Sequence, residues 1–394
     1  MKINRTLLKV AILAVAMQNG GMGAITPALG AIIAAFPTVA PSLVMMVATI
    51  PALLLAIIPP IYAKATEFMR KKSILYSAAI LFLVGGVGPA FFHTNIYVIL
   101  GFRVLLGIAN GIVIPMTTDL CVDFFEDQER NDMMGYVSSI TGVSGVVFQM
   151  LGGYLAGLNW YYGFYAYLIS AVFFLFAIIY LPESDKKEKL ASEGSNVKAK
   201  VPGSIYVISA AFGFFFLFMY IIITNAAIVI MGEKLGTTAE IGLAFSCLTL
   251  ASFITSAAFG QLFKRLKYSI LPISYIFGAL GLYLCYIGTT FWTFTLGIAV
   301  FGLGLGAVVP AVMTKITGLV PYELGTKVIG IAFLGMGLGG FIQPMLFAVI
   351  LDMVHQGLGR FPFIIGTIGM LVFTVVIFLV DRATPVIPPT TIQA

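Results

Sequence analysis

Apolar residues in this chain come in long runs, and charges and turn residues fall almost wholly between them. A helix crossing the hydrocarbon of a membrane needs about 20 apolar residues, because its backbone N–H and C=O groups must be bonded within the segment. Cutting at charges and turns predicts twelve such stretches. In the first half they cover Leu7–Ala35, Ser42–Ala63, Ser73–Phe92, Asn95–Thr118, Met133–Gly157 and Tyr161–Leu181. In the second they cover Gly203–Met231, Ala239–Phe263, Ser269–Thr290, Trp292–Thr314, Val328–Met353 and Phe361–Val380. Lys2, Arg5 and Lys9 ahead of the first run imitate a secretory signal, but the run continues to Ala35, well past a signal core of about 7–15 residues. It reads as a retained span.

The polar stretch Pro182–Pro202 is mixed in charge and rich in Gly and Ser, and reads as a solvated linker. The Pro-rich end reads as a disordered tail. The expected organisation is a six-helix bundle over 1–181, a linker over 182–202, a second six-helix bundle over 203–380 and a tail over 381–394.

Composition narrows the class. Of 394 residues 60% are hydrophobic and 10% charged, with a mean hydropathy of +1.05, whereas a soluble chain carries about 25% charged residues. A soluble enzyme, a disordered chain and a nucleic-acid binder are excluded. The net charge of +6 is a matter of topology. Of 22 Lys and Arg, only Lys234 and Arg360 fall on one face and Arg103 within a span, leaving 19 on the other. By the positive-inside rule both termini are cytoplasmic, and the chain is expected to be a multi-pass protein of the cytoplasmic (inner) membrane. Cys121, Cys247 and Cys285 are too scattered for a disulfide framework or metal site. No paired buried carboxylate, metal cluster or phosphate loop is found, so no cofactor or metal is expected. The chain reads as neither an enzyme nor an ATP-driven pump.

The two halves resemble each other. A shift of 195 carries Gly107, Gly111, Pro115 and Gly135 onto Gly302, Gly306, Pro310 and Gly330, and Gly142 and Gly145 onto Gly337 and Gly340. A shift of 198 aligns Ile25, Thr26 and Ala28 with Ile223, Thr224 and Ala226. Five glycines and a proline in a single register make each half a repeat of the other. Two six-helix repeats with a site at the midplane is an architecture of secondary transporters.

Particular segments resemble the major facilitator superfamily. RVLLGIANG (Arg103–Gly111) is similar to the family's fourth-helix motif, an arginine followed by glycines at four-residue spacing. LGGYLAGLNWYYGFY resembles the end of its fifth helix and start of its sixth, while FEDQERNDMMG and PYELGTKVIG resemble loops entering helices five and eleven. The signature loop between helices two and three is altered. Thr66 and Glu67 stand where the family has aspartate and arginine, while Arg70 and Lys71 remain. In the repeated loop Lys264 stands at the aspartate and Arg265 is kept. The fifth-helix element linked to antiporters has Phe148 and Gln149 in place of Gly-Pro. The resemblance implies an all-α fold of twelve transmembrane helices in two pseudo-symmetric halves. It also implies gating roles for Glu67, Arg70, Lys71, Asp119, Lys264 and Arg265.

Ionisable groups inside a membrane are functional candidates by default. Arg103, eight residues into the fourth stretch, is the one deep example; it either binds an anion or bonds carbonyls of neighbouring helices to hold its half together. Asp119 is expected at the cytoplasmic end of that stretch, with Asp123, Glu126, Asp127, Glu129 and Asp132 in the following loop. Neutral candidates for solute binding are Asn110, Gln18, Asn19, Thr26, Gln149, Tyr220, Asn225 and Gln343, each with helix–helix bonding as the rival role. The expected function is secondary transport of a small organic solute, an anion or a polar neutral molecule, by alternating access, with a proton as candidate coupling ion and a monomer as the working unit. The alternatives are a proton-coupled multidrug efflux antiporter and, in another class, a non-transporting receptor or lipid scramblase.

Overall fold

The computed structural model describes residues 5–183, 201–320 and 324–383. Most of the linker and tail, and Pro321–Glu323 of the loop before helix eleven, lie outside the described residues. Within them the chain is helical without strands, and twelve helices are long and apolar enough to cross a membrane.

The spans, numbered in chain order, are Arg5–Ala35, Pro41–Phe68, Lys71–Phe91, Ile96–Phe124, Asp127–Leu158, Trp160–Tyr180, Gly203–Gly232, Thr238–Ala257, Ile270–Ile287, Phe291–Thr317, Lys327–Met353 and Phe361–Val380. Three differ informatively from the sequence expectation. Span 4 continues to Phe124, so Asp123 is helical, one turn beyond Asp119 on the same face. The helix of span 5 starts at Asp127, with Asp127 and Glu129 in its first turn, where the helix dipole favours acids. Glu129 there meets Lys9 at 2.8 Å and Arg5 at 3.3 Å, tying the start of span 5 to that of span 1. Charge thus marks helix ends here as well as loops.

Span 1 is not one continuous α-helix. It runs as α-helix over Arg5–Ala16, as 3₁₀ turns over Met17–Gly23 and Thr26–Ala28, and as α-helix again over Leu29–Ala35. Three glycines in Met17–Gly23 weaken the helix there, and Pro27 removes an N–H, so the four-residue ladder is lost across this stretch.

The described residues cluster into two compact units. One comprises spans 1–6 with Gly236–Ser246, and the other comprises span 7 and the chain from Cys247 onward. The packing pairs of the first unit recur in the second. Span 1 packs on 5, 2 on 4, 3 on 4 and on 6; span 7 packs on 11, 9 on 10 and on 12. The repeated glycines explain the recurrence. A Cβ on Gly107 would lie 2.6 Å from Leu54 Cδ1 of span 2, and one on Gly302 would lie 2.5 Å from the Leu248 carbonyl of span 8. Gly111 and Gly306 do the same one turn on, against Ile58 and the Ser252 carbonyl. Helices in a membrane associate by such close backbone approach, since lipid supplies no hydrophobic drive between them.

Candidate functional site

Arg103 is fully buried in the first unit, at 0% exposure. Its Nε donates to the Val47 carbonyl of span 2 at 2.7 Å, Nη1 to the Tyr167 hydroxyl of span 6 at 2.9 Å, and Nη2 to the Met22 carbonyl of span 1 at 3.4 Å. The guanidinium also lies 5.6 Å from the centroid of the Tyr167 ring. One side chain on span 4 therefore holds three other spans. The Met22 carbonyl sits in the stretch of span 1 where the ladder is broken, which leaves its oxygen able to accept. Tyr167 was missed in the sequence because nothing in a run of aromatic residues marks which one faces an arginine.

At the end of the first unit that carries the basic loops, four residues form a second cluster. Lys71 Nζ, at the start of span 3, lies 2.8 Å from Asp123 Oδ2 and 3.8 Å from Asp119 Oδ2. The Tyr62 hydroxyl of span 2 donates to Asp119 at 2.8 Å. Lys71 is 8% exposed, so the pairing is largely shielded from water. Of the residues expected at gates, Lys71 and Asp119 come together, while Glu67, Arg70, Lys264 and Arg265 are exposed and make no ion pair among the described residues. Tyr62 and Asp123 join the cluster unforeseen; the four-residue spacing of Asp119 and Asp123 was the available signal.

The neutral candidates divide between the units. In the first, Gln18 Nε2 donates to the Ala14 carbonyl and Asn110 Nδ2 to the Leu106 carbonyl, each one turn back on its own helix. Their carbonyl oxygens, and that of Asn19, are buried without a partner. Thr26 is buried, and Gln149 lies against span 1, where a Cβ on Gly23 would come 3.0 Å from its Nε2.

In the second unit the candidates are bonded to one another. Thr224 Oγ1 lies 2.8 Å from the Tyr220 carbonyl and 3.1 Å from Gln343 Oε1 of span 11. Asn225 Nδ2 donates to Thr224 Oγ1 at 2.9 Å and to the Ile221 carbonyl at 3.3 Å. Asn225 Oδ1 and Gln343 Nε2 are buried without a partner. The Tyr220 ring covers Gly340, bringing spans 7 and 11 into contact beside this trio. Close approach continues where a Cβ on Gly213 would meet the Gly335 carbonyl at 2.7 Å. No group of His, Cys, Asp and Glu able to hold a metal ion occurs among the described residues.

Comparison with known proteins gives this geometry its context. The family model of the Major Facilitator Superfamily matches residues 11–222 and 208–393. "Multidrug resistance protein 3" of Bacillus subtilis (strain 168) is 29% identical over 135 residues, which is 33% of this chain and 26% of that protein. "Multidrug transporter protein MdtP" of the same organism is 31% identical over 124 residues, 30% of this chain and 22% of that protein. The matches thus span about a quarter of the length of these curated relatives. Among solved structures, a D-xylose-proton symporter superposes with a TM-score of 0.72 at 14% identity, covering 98% of this chain and 97% of that one. At such identity the likeness is one of fold.

Proposed function

The chain belongs to the Major Facilitator Superfamily and has twelve helices long and apolar enough to cross a membrane; from that premise we propose that it is a secondary transporter whose cargo is a small, uncharged, polar organic molecule, moved across the cytoplasmic membrane by alternating access with both termini cytoplasmic. The observation that carries this reading is the bonding of Arg103. Its three donor nitrogens each have a partner within the first unit. An arginine that recognises an anion must present its fork to the ligand. With three of its five N–H groups bonded inside the unit and the side chain fully buried, the remaining buried candidates are amides and hydroxyls, and such groups select uncharged polar partners.

The test is uptake by the purified protein in liposomes. Labelled uncharged solutes, carboxylates and lipophilic cations are compared with and without a pH gradient. Flux of an uncharged solute is expected; flux restricted to carboxylates would overturn the proposal. A second reading, efflux of drugs in exchange for protons, is favoured by the names of the two curated relatives. It predicts broad resistance when the protein is expressed in drug-sensitive cells, where the first reading predicts unchanged susceptibility.

A further inference from the structure

We infer that Thr224, Asn225 and Gln343 form a solute-binding subsite that reads one hydroxyl or primary carboxamide group through the hydrogen bond that group donates. The inference rests on the uncharged-solute reading and specifies the chemistry of one contact within it.

Burying a polar atom without a partner costs about 1–3 kcal/mol, and buried side-chain polar atoms are bonded in the large majority of cases. This trio leaves two of its amide atoms open, although Thr224 and Gln343 are 0% exposed and Asn225 is 1% exposed. Both amides bond the same Thr224 hydroxyl, which brings the two side chains together beside it.

The orientation of Asn225 is fixed. Its nitrogen already serves two acceptors, the Ile221 carbonyl and Thr224 Oγ1, and turning the amide over would lose both bonds. The open atom on Asn225 is therefore an acceptor, and the ligand must bring a donor to it. Thr224 has one hydroxyl proton to share between the Tyr220 carbonyl and the Gln343 amide; with that proton on Tyr220, the Gln343 nitrogen donates to Thr224 Oγ1 and its oxygen is left open as a second acceptor. In either orientation of Gln343 the demand of Asn225 is for a donor. A carboxylate has nothing to donate to Asn225, and neither does a tertiary amide. A hydroxyl or primary carboxamide supplies that donor.

Sequence comparison of the halves places the feature in the second unit alone. The segment Ile223-Thr224-Asn225-Ala226 aligns with Ile25-Thr26-Pro27-Ala28, so a proline stands where Asn225 would be in the first unit. At the shift of 195, Gln343 aligns with Phe148, while Gln149 one residue on lies against span 1. The second unit alone therefore carries both amides at these positions.

Binding of two matched probe sets to the full chain in nanodiscs tests the assignment. The first set is nicotinamide, nicotinate and N,N-diethylnicotinamide; the second is an inositol and its fully methylated ether. At least one donor-bearing probe, nicotinamide or inositol, should bind more tightly than its donor-free counterparts. That preference should fall at least about tenfold in Thr224→Val and Asn225→Leu, a site with unpaired polar groups being a poor host for analogues that cannot pair them. Thr224→Ser keeps the hydroxyl and should keep binding, which separates a contact role from a packing role. Equal or tighter binding of nicotinate or of the methylated probes would overturn the subsite, as would donor-bearing binding that survives in Asn225→Leu. Binding of neither donor-bearing probe would overturn it too, while the liposome uptake experiment decides the transport reading on its own.

Discussion

The two units carry the same helix pairings on repeated glycines, yet at two aligned positions they hold opposite chemistry. Arg103 in span 4 aligns with Ile298 in span 10, and both are completely buried. Pro27 in span 1 aligns with Asn225 in span 7. The first unit has a broken first helix and an arginine that bonds one of the carbonyls in the broken stretch. The second has a continuous helix over Gly203–Gly232, hydrocarbon at the arginine position, and an amide where the break would be. The comparison teaches that the deep charge belongs to the architecture of a unit whose first helix is interrupted. The unit without the interruption has hydrocarbon at that position instead.

The comparison can be broken by substitution. The largest effect is expected for Arg103→Met. It removes three hydrogen bonds from a charged donor, each worth about 1.5–3 kcal/mol, and leaves the Tyr167 hydroxyl without its partner on span 4. The thermal unfolding midpoint of the purified protein should fall by many degrees, whereas Ile298→Met should cost under about 1.5 kcal/mol. Equal responses would mean that the aligned positions do the same job.

Why Arg103 was legible as a residue but not as a role has a physical basis. A lone arginine in an apolar run is visible in any sequence, but its partners are two backbone carbonyls and one of many tyrosines, none marked by residue type. The twelve spans and the internal repeat were legible because membrane solvation imposes length, and close helix approach imposes glycine, at fixed intervals. The break in span 1 was foreshadowed by Gly20, Gly21, Gly23 and Pro27, but glycine and proline also occur in continuous helices here. Pro115 and Pro310, for instance, lie inside unbroken spans. The pairing of Lys71 with both acids depended on span 4 continuing one turn further than hydropathy alone suggested.

An intermediate effect is expected from exchanging the second pair of aligned residues. Asn225→Pro removes a backbone N–H from the interior of span 7 and should cost about 3 kcal/mol, read as a lower unfolding midpoint and reduced helicity by circular dichroism. Pro27→Asn restores an N–H to a stretch already outside the α-helical ladder and should change the midpoint by less than about 1 kcal/mol. If both substitutions cost the same, the break in span 1 has another origin.

The smallest effect tests whether ion pairing matters equally wherever it occurs. Arg360 forks onto Glu233 at 2.6 to 2.9 Å and donates to the Tyr286 carbonyl, but Glu233 is 40% exposed. Arg360→Gln should lower stability by no more than about 1 kcal/mol in a thermal scan, with the difference shrinking further at high salt.

The central claim is that Arg103 is bonded by its own unit and not by the solute. Nitrogen-15 NMR of the protein labelled at arginine, asparagine and glutamine in lipid tests it directly, with the Arg103 guanidinium signal assigned by its loss in Arg103→Lys. The account predicts that this signal stays in place when a transported solute is added to saturation, while side-chain amide signals of Asn225 and Gln343 move. A solute-dependent shift of the Arg103 signal, with those amides unmoved, would contradict it.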